Sequence, residues 1–249
     1  MNIGIIIQAR MGSTRLPRKI LLDFYQGVTL IEMLINNLKK IGNMPVVVAT
    51  SENPNNNELV EFLHQRNISV YRGEENDVLS RFIGAAKEYG FDGIVRICSD
   101  NPFLDYRGVK LLITKAQASS ADYIGFRIND TPSIKTHFGF WGEYVRLSAL
   151  KRVSASTNDA LAHEHVTFFI YTHPEKYQCE WIECPNFLQG RNDIRLTVDN
   201  AEDFENARNV YSALYGMKPD FDLEDVVNCV DNNEDLRHSM KRLIDENKK

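Results

Sequence analysis

Cysteine is scarce in this chain and poorly spaced for metal or redox chemistry: Cys98, Cys179, Cys184 and Cys229 form no C-x-x-C pair. That excludes a zinc ribbon, a thioredoxin-type motif and a disulfide framework, and leaves four reduced thiols acting as small core residues. Long apolar runs are also missing. None approaches the roughly 20 residues that span a bilayer, and no charged leader precedes the first apolar run, so a cytoplasmic protein with no membrane partner is expected. Positive charge is in deficit, with 29 Lys and Arg against 34 Asp and Glu for a formal charge of −5. No general basic field exists to capture a nucleic-acid backbone, and no nucleic-acid partner is expected. Internal repeats and low-complexity segments are absent as well.

What is present is the composition of a globular domain. The 249 residues are 43% hydrophobic and 25% charged, enough to bury one core, so the expectation is a single domain over 1–249. Short β-rich runs at 3–7, 45–50, 68–71 and 93–97 alternate with amphipathic stretches at 29–40, 56–66, 76–89 and 106–119. This is the pattern of an α/β fold, a three-layer, mostly parallel sheet flanked by helices. The polar run Glu52–Asn57 separates the second strand from its helix, with Asn56 or Asn57 as N-cap. Beyond 120, a helix is expected at 146–162, strands at 166–171, 178–183 and 194–198, and helices at 201–215, 222–230 and 232–247, with frayed residues at the end.

The segment 5–19, Ile-Ile-Ile-Gln-Ala-Arg-Met-Gly-Ser-Thr-Arg-Leu-Pro-Arg-Lys, joins a buried β-branched strand to a loop with spaced cations. Arg10, Arg15 and Lys19 suit a triphosphate. Arginine forks onto phosphate oxygens, while lysine acts as a point charge. Gly12 and Ser13 are small enough to let backbone N–H groups approach an anion. Loops after the first strand of such sheets are where ligands bind; an ordinary basic surface loop is the alternative. The loop has neither the G-x-x-x-x-G-K-[ST] nor the G-x-G-x-x-G spacing of the common nucleotide fingerprints.

Two further runs each end in an acid. Ile94–Pro102 presents Asp100 where a buried strand leaves the sheet, and Asp193–Asp199 presents Asp199 just before a helix. Magnesium keeps several waters and takes one or two carboxylates plus phosphate oxygens, so Asp100 and Asp199 together are a candidate Mg²⁺ site. For Asp199 the competing reading is a helix N-cap. Glu202 and Asp203 read as first-turn charges favoured by the helix dipole. Arg96, inside an apolar strand, needs an acid or a ligand as partner.

The stretch Gln8–Lys19 resembles the opening of the cytidylyltransferases that activate acidic sugars, above all the SpsF-like branch of spore-coat polysaccharide biosynthesis, related to the CMP-Kdo and CMP-sialic acid synthetases. The family loop reads Q-A-R-M-G-S-T-R-L-P-G-K, and Arg18 replaces its second glycine. Glycine there permits positive φ, which arginine resists. The family's G-D-C-P segment is matched by Ser99–Pro102, and its R-L-T-V-D-T-P-E-D-F segment by Arg195–Phe204 with Asn200 and Ala201 substituted. Its E-H-V-T-P-Y-I segment is matched by Glu164–Ile170, with Phe168 for proline.

The resemblance implies a nucleotide-diphospho-sugar transferase-like sheet and transfer of CMP from CTP to a sugar or sugar-acid acceptor with Mg²⁺. Arg10, Lys19, Asp100 and Asp199 would carry the chemistry, with the metal on the two aspartates. Gln8, Ala9, Gly12, Ser13 and Arg15 would line the phosphates, and Ala49, Thr50 and Ser51 the cytosine. In Arg72–Arg81, similar to the family's R-G-x-x-x-D-V-L-x-R, Asp77 borders the nucleotide and Arg72 or Arg81 faces it. An Asp77–Arg81 helical ion pair is the plain alternative. Glu164 and His165 would belong to the acceptor side, or else the histidine is structural. The aromatic stretch Tyr123, Phe126, Phe138, Phe140, Trp141 and Tyr144 lines an acceptor cleft or buries a homodimer face, within elements at about 120–190. Arg127, Lys135 and His137 are candidate ligands for an acceptor anion. Rival readings are a sugar-1-phosphate nucleotidylyltransferase using UTP or GTP, a nonenzymatic nucleotide-binding scaffold, and a glycosyltransferase, the last weakened because no D-x-D follows a buried strand.

Overall fold

The structure, a computed structural model, describes residues 1–246. The expected fraying at Asn247–Lys249 and the last residue of the final predicted helix lie outside the described residues. The described residues form ten strands: β1 (Ile3–Gln8), β2 (Asp23–Tyr25), β3 (Val28–Thr29), β4 (Val46–Ser51), β5 (Ser69–Gly73), β6 (Gly93–Cys98), β7 (Tyr123–Ile128), β8 (Thr131–Pro132), β9 (Glu143–Arg146) and β10 (Cys179–Glu183). The helices are α1 (Leu30–Lys39), α2 (Asn57–His64), α3 (Val78–Glu88), α4 (Tyr106–Ala118), α5 (Leu147–Ser156), α6 (Ala160–Glu164), α7 (Phe168–Thr172), α8 (Ala201–Met217), α9 (Leu223–Asp231) and α10 (Glu234–Glu246).

The main sheet has the order β10-β7-β9-β6-β1-β4-β5, with β8 added to β7. Strands β6, β1, β4 and β5 pair in parallel, as do β7 and β10, while β9 runs antiparallel between β6 and β7. The sheet is therefore mixed and mostly parallel, as its alternating pattern predicts.

Alternation along the strands divides the core. Ile3, Ile5 and Ile7 of β1 face one side with α1, α2, α4 and α8, whereas Ile6 faces the other with Val78, Phe82, Leu150 and Ile170 of α3, α5 and α7. Charged side chains at Arg96 and Glu143 fall on that second face, whose neighbours are α6 and α7. Thr29 and Glu32 form a capping box that starts α1.

Three predicted elements and one predicted helix cap differ. Residues 166–171 are β-branched and aromatic yet form a turn and helix α7, because Ile170 and Val166 bury into the cluster under α5. Residues 194–198 form no strand; the Leu196 and Thr197 amides go to the His137 carbonyl and the Val198 amide to that of Asp100. The single helix at 146–162 is two, α5 and α6, with Thr157–Asp159 between them and Asp159 capping the second. Asn56 precedes α2 without a side-chain capping bond. Its carboxamide instead accepts the Met11 N–H at 2.8 Å and donates to Ser51 Oγ at 2.7 Å, tying the end of β4 to the loop after β1.

The aromatic stretch is core of this chain, and Phe140 and Trp141 of it also line a cleft shared with Asp100 and Lys135. Tyr123, Phe126, Phe138, Phe140, Trp141 and Tyr144 are all buried, which leaves none of them as an exposed face for a second subunit. No helix among the described residues is long and apolar enough to cross a membrane.

Candidate active site

A cleft of about 600 Å³ opens at the carboxyl ends of β1 and β6, lined by Gln8, Arg10, Asp100 and Asp199 on one side and by Lys135, Glu164, His165, Phe168 and Tyr171 on the other. The two acids are brought together through the backbone: Val198 N–H donates to the Asp100 carbonyl at 2.9 Å. Lys19 clamps the junction, its Nζ donating to the Val198 carbonyl at 2.6 Å and standing 3.5 Å from Asp100 Oδ2. Arg15 stands 3.3 Å from Asp199 Oδ1, and Arg195 donates to Asp199 Oδ2 at 3.0 Å. Asp199 is not a helix cap. That role belongs to Asn200, in a capping box with Asp203.

Asp203 is more than a dipole-favoured surface charge. It is buried, accepts from Arg195 Nε and Nη2 at 2.6 and 2.8 Å, and accepts the Asp199 amide at 3.0 Å. Burial pulls the Arg195 guanidinium pKa down, and the Asp203 and Asp199 carboxylates push it above its ordinary value. A bidentate pair of this kind fixes the backbone that presents Asp199.

The first loop departs from expectation at two points. Ser13 N–H turns back to the Met11 carbonyl at 2.9 Å, whereas the Gly12 amide makes no hydrogen bond among the described residues. Arg18 takes φ +60°, the left-handed region its family glycine would enter freely, and pairs with Glu58. Arg10 is exposed at the cleft and makes no hydrogen bond or ion pair among the described residues. Ala9 is buried and donates its amide to the Ala49 carbonyl at 3.2 Å, which joins the loop after β1 to the end of β4.

At that end Ala49, Thr50 and Ser51 are buried, and Thr50 Oγ1 has no hydrogen-bond partner among the described residues. Arg72 staples the same turn, donating to the carbonyls of Ser51, Glu52 and Asn53 at 3.0–3.3 Å. Arg81 is buried with Nε unpartnered; burial and nearby Arg10 lower its pKa. The Asp77–Arg81 ion pair does not form. Asp77 caps α3 through the Ser80 amide at 2.8 Å, and its other oxygen lies 2.9 Å from His163 Nδ1.

His163 is thus held against α3, while Glu164 and His165, the candidate acceptor-side pair, are exposed in the cleft. Between them and Thr167, buried Val166 has φ +43°, rare for a β-branched residue. Phe168 N–H donates to the His165 carbonyl at 3.0 Å, a bond the family proline could not make. Of the three candidate acceptor cations, Lys135 alone lines the cleft, about 6 Å from the Phe168 and Tyr171 rings. Arg127 pairs with Glu183 at 2.5 Å, and His137 Nδ1 meets Arg195 at 2.7 Å.

Arg96 finds its acid in Glu143, its cross-strand neighbour on β9, at 2.6 Å. Sequence reasoning missed Glu143, because antiparallel pairing of β6 with β9 is not visible in local pattern. A second cavity of about 560 Å³ lies among Tyr25, Phe103, Tyr211 and Phe221. Its carboxylates cap helices or, at Asp220, pair with Lys40 and Arg107 at 3.5 and 3.1 Å.

The mixed sheet and a cleft with paired acids facing cations define a nucleotidyltransferase. More narrowly, the chain belongs to the cytidylyltransferase family, whose model matches residues 4–236. It is 30% identical to the spore coat polysaccharide biosynthesis protein SpsF of Bacillus subtilis over 242 residues, 94% of this chain and 96% of that one. It is 34% identical over 206 residues to an uncharacterized protein of Methanocaldococcus jannaschii, covering 82% and 81% of the two chains. The solved structure of a cytidylyltransferase from Leptospira borgpetersenii superposes with a TM-score of 0.81 at 29% identity, covering 95% of this chain and 96% of that one.

Proposed function

We propose that this protein transfers CMP from CTP to a sugar-type acceptor, releasing pyrophosphate, in the cytoplasmic synthesis of a surface polysaccharide precursor. The observation that carries the reading is the Val198–Asp100 backbone bond at 2.9 Å, which ties the two acid-bearing segments to each other beside Lys19 and Arg15, with Arg10 in the same cleft.

An acceptor hydroxyl oxygen bonds to the α-phosphorus as the bond from that phosphorus to the bridging oxygen breaks. The electron pair leaves with pyrophosphate, and the hydroxyl proton passes to solvent. The chain's part in such a transfer is positioning and charge neutralisation. Arg10 and Lys19 neutralise the β- and γ-phosphates as charge moves onto them, Arg15 swings from Asp199 to the same oxygens, and Gly12 offers its amide.

Asp100 and Asp199 fit a divalent cation such as Mg²⁺, since two carboxylates completed by phosphate oxygens and water are the donor set it takes. No group of three or more His, Cys, Asp or Glu side chains among the described residues forms a protein-only cage. When bound, the ion supplies further charge neutralisation at the phosphates. For the base, the unpartnered Thr50 Oγ1 and Arg81 Nε, with Ala49 and Ser51 beside them, supply hydrogen-bonding capacity. Lys135, Glu164 and His165 receive the acceptor. Assembly as a homodimer belongs to the same reading, and sedimentation velocity tests it separately.

Pyrophosphate release measured with CTP, UTP, GTP and ATP against a panel of keto-acid sugars and neutral sugars tests the proposal. Release with CTP and at least one sugar acceptor is expected. Release with UTP or GTP and a sugar 1-phosphate, or CTP binding without release from any acceptor, overturns it.

A further inference from the structure

Glu143 is 2% exposed and lies inside the sheet, yet its carboxylate connects both halves of the cleft. Its Oε2 accepts from Arg96 Nη1 at 2.6 Å and from Thr167 Oγ1 at 3.0 Å, and its Oε1 accepts from Tyr123 at 2.7 Å. Arg96 then donates Nη2 to Gln8 Oε1 at 3.0 Å. A guanidinium has donors only, so the Gln8 carboxamide must turn its oxygen to Arg96. Its NH₂ group is left as a donor on a residue that lines the cleft together with Arg10 and Asp100.

The other branch ends at the turn that carries Glu164 and His165. Thr167 is fully buried, and its amide closes on the His165 carbonyl at 2.5 Å across Val166, whose φ is +43°. A strained conformation at a β-branched residue persists only where its surroundings over-determine it, and the Thr167–Glu143 bond is one such restraint. Glu143 itself is too deep to meet a ligand.

We infer that Glu143 is a positioning residue: through Arg96 it fixes the Gln8 amide as a hydrogen-bond donor to a nucleotide phosphate oxygen, and through Thr167 it holds the Glu164–His165 turn against the cleft. The inference rests on the proposed CTP chemistry for the ligand and on geometry alone for the orientation of Gln8.

The full chain is labelled with ¹⁵N, and the Gln8 side-chain NH₂ pair is assigned by its loss in Gln8→Ala. Without ligand, Glu143→Gln should move that pair toward the position of a solvent-exposed glutamine. Thr167→Val should shift the His165 ring signals and leave the Gln8 pair in place. With CTP and Mg²⁺ in calorimetry, Gln8→Ala and Glu143→Gln should each weaken affinity about 10-fold, the scale of one charge-assisted hydrogen bond. The double variant should bind no worse than Gln8→Ala, because Glu143 acts through Gln8. Unmoved Gln8 signals in Glu143→Gln, or multiplying losses in the double variant, overturn the inference. Should Glu143→Gln fail to fold, Arg96→Lys removes the fork and keeps the charge on Glu143, and the same Gln8 readout decides. A wild-type chain that binds no CTP would sink the functional proposal, while the Gln8 signals would still decide the positioning role.

Discussion

Lys19 Nζ lies 2.6 Å from the Val198 carbonyl and 3.5 Å from the Asp100 carboxylate, so one cation from the first loop spans the two acid-bearing segments. Its contacts hold the loop after β1 and the segments carrying Asp100 and Asp199 in one geometry. Preorganisation of this kind is what a transfer reaction driven by charge neutralisation needs.

Asp100→Asn and Asp199→Asn should each lower Mg²⁺-dependent pyrophosphate release on the order of 100-fold or more, with metal-free CTP affinity little changed. Steady-state turnover set beside calorimetry in EDTA separates the two effects. Wild-type turnover in both variants would remove the acids from the site.

Arg18→Gly should stabilise the protein. Arginine in the left-handed region costs about 1–2 kcal/mol, glycine returns part of that as unfolded-chain entropy, and the exposed Arg18–Glu58 pair is worth little. A net gain of about 0.5–1 kcal/mol in urea unfolding is expected. A loss would mean that the arginine side chain contributes more than the strain it sits on.

Asp203→Ala should destabilise by about 3 kcal/mol, because it leaves the buried Arg195 guanidinium without its bidentate partner; the remaining bond to Asp199 keeps the loss near the low end for a broken buried pair. Chemical denaturation measures it. Turnover should fall too, since the Asp199 amide loses its acceptor.

The stabilising contact of His163 should depend on pH in a defined direction. Its bond to the Thr157 carbonyl and its pairing with Asp77 raise the imidazole pKa above the ordinary value of 6.5. A raised histidine pKa stabilises the fold fully below the unfolded value and loses that contribution as pH climbs through the folded one. The stability lost in His163→Asn should therefore be larger at pH 5.5 than at pH 8.5. Equal losses at both values would show that the pair carries no charge-dependent stability.

The sequence by itself determined the strand–loop unit at Ile3–Lys19, the alternating order of the first four parallel strands and the two acids at strand-like ends. These are local features, in which hydrophobic period and residue type decide the outcome over a few neighbours. Tertiary structure decided the rest. Residues 166–171 have strand propensity and became helix α7 because burial under α5 outweighed it. The partner of Asp77 was His163 and not Arg81, four residues away, since α6 packs beside α3. Glu143 reached Arg96 by antiparallel pairing. Contacts between residues far apart in sequence leave no local periodicity, and only the assembled sheet gives the ion pairs and the cleft their geometry.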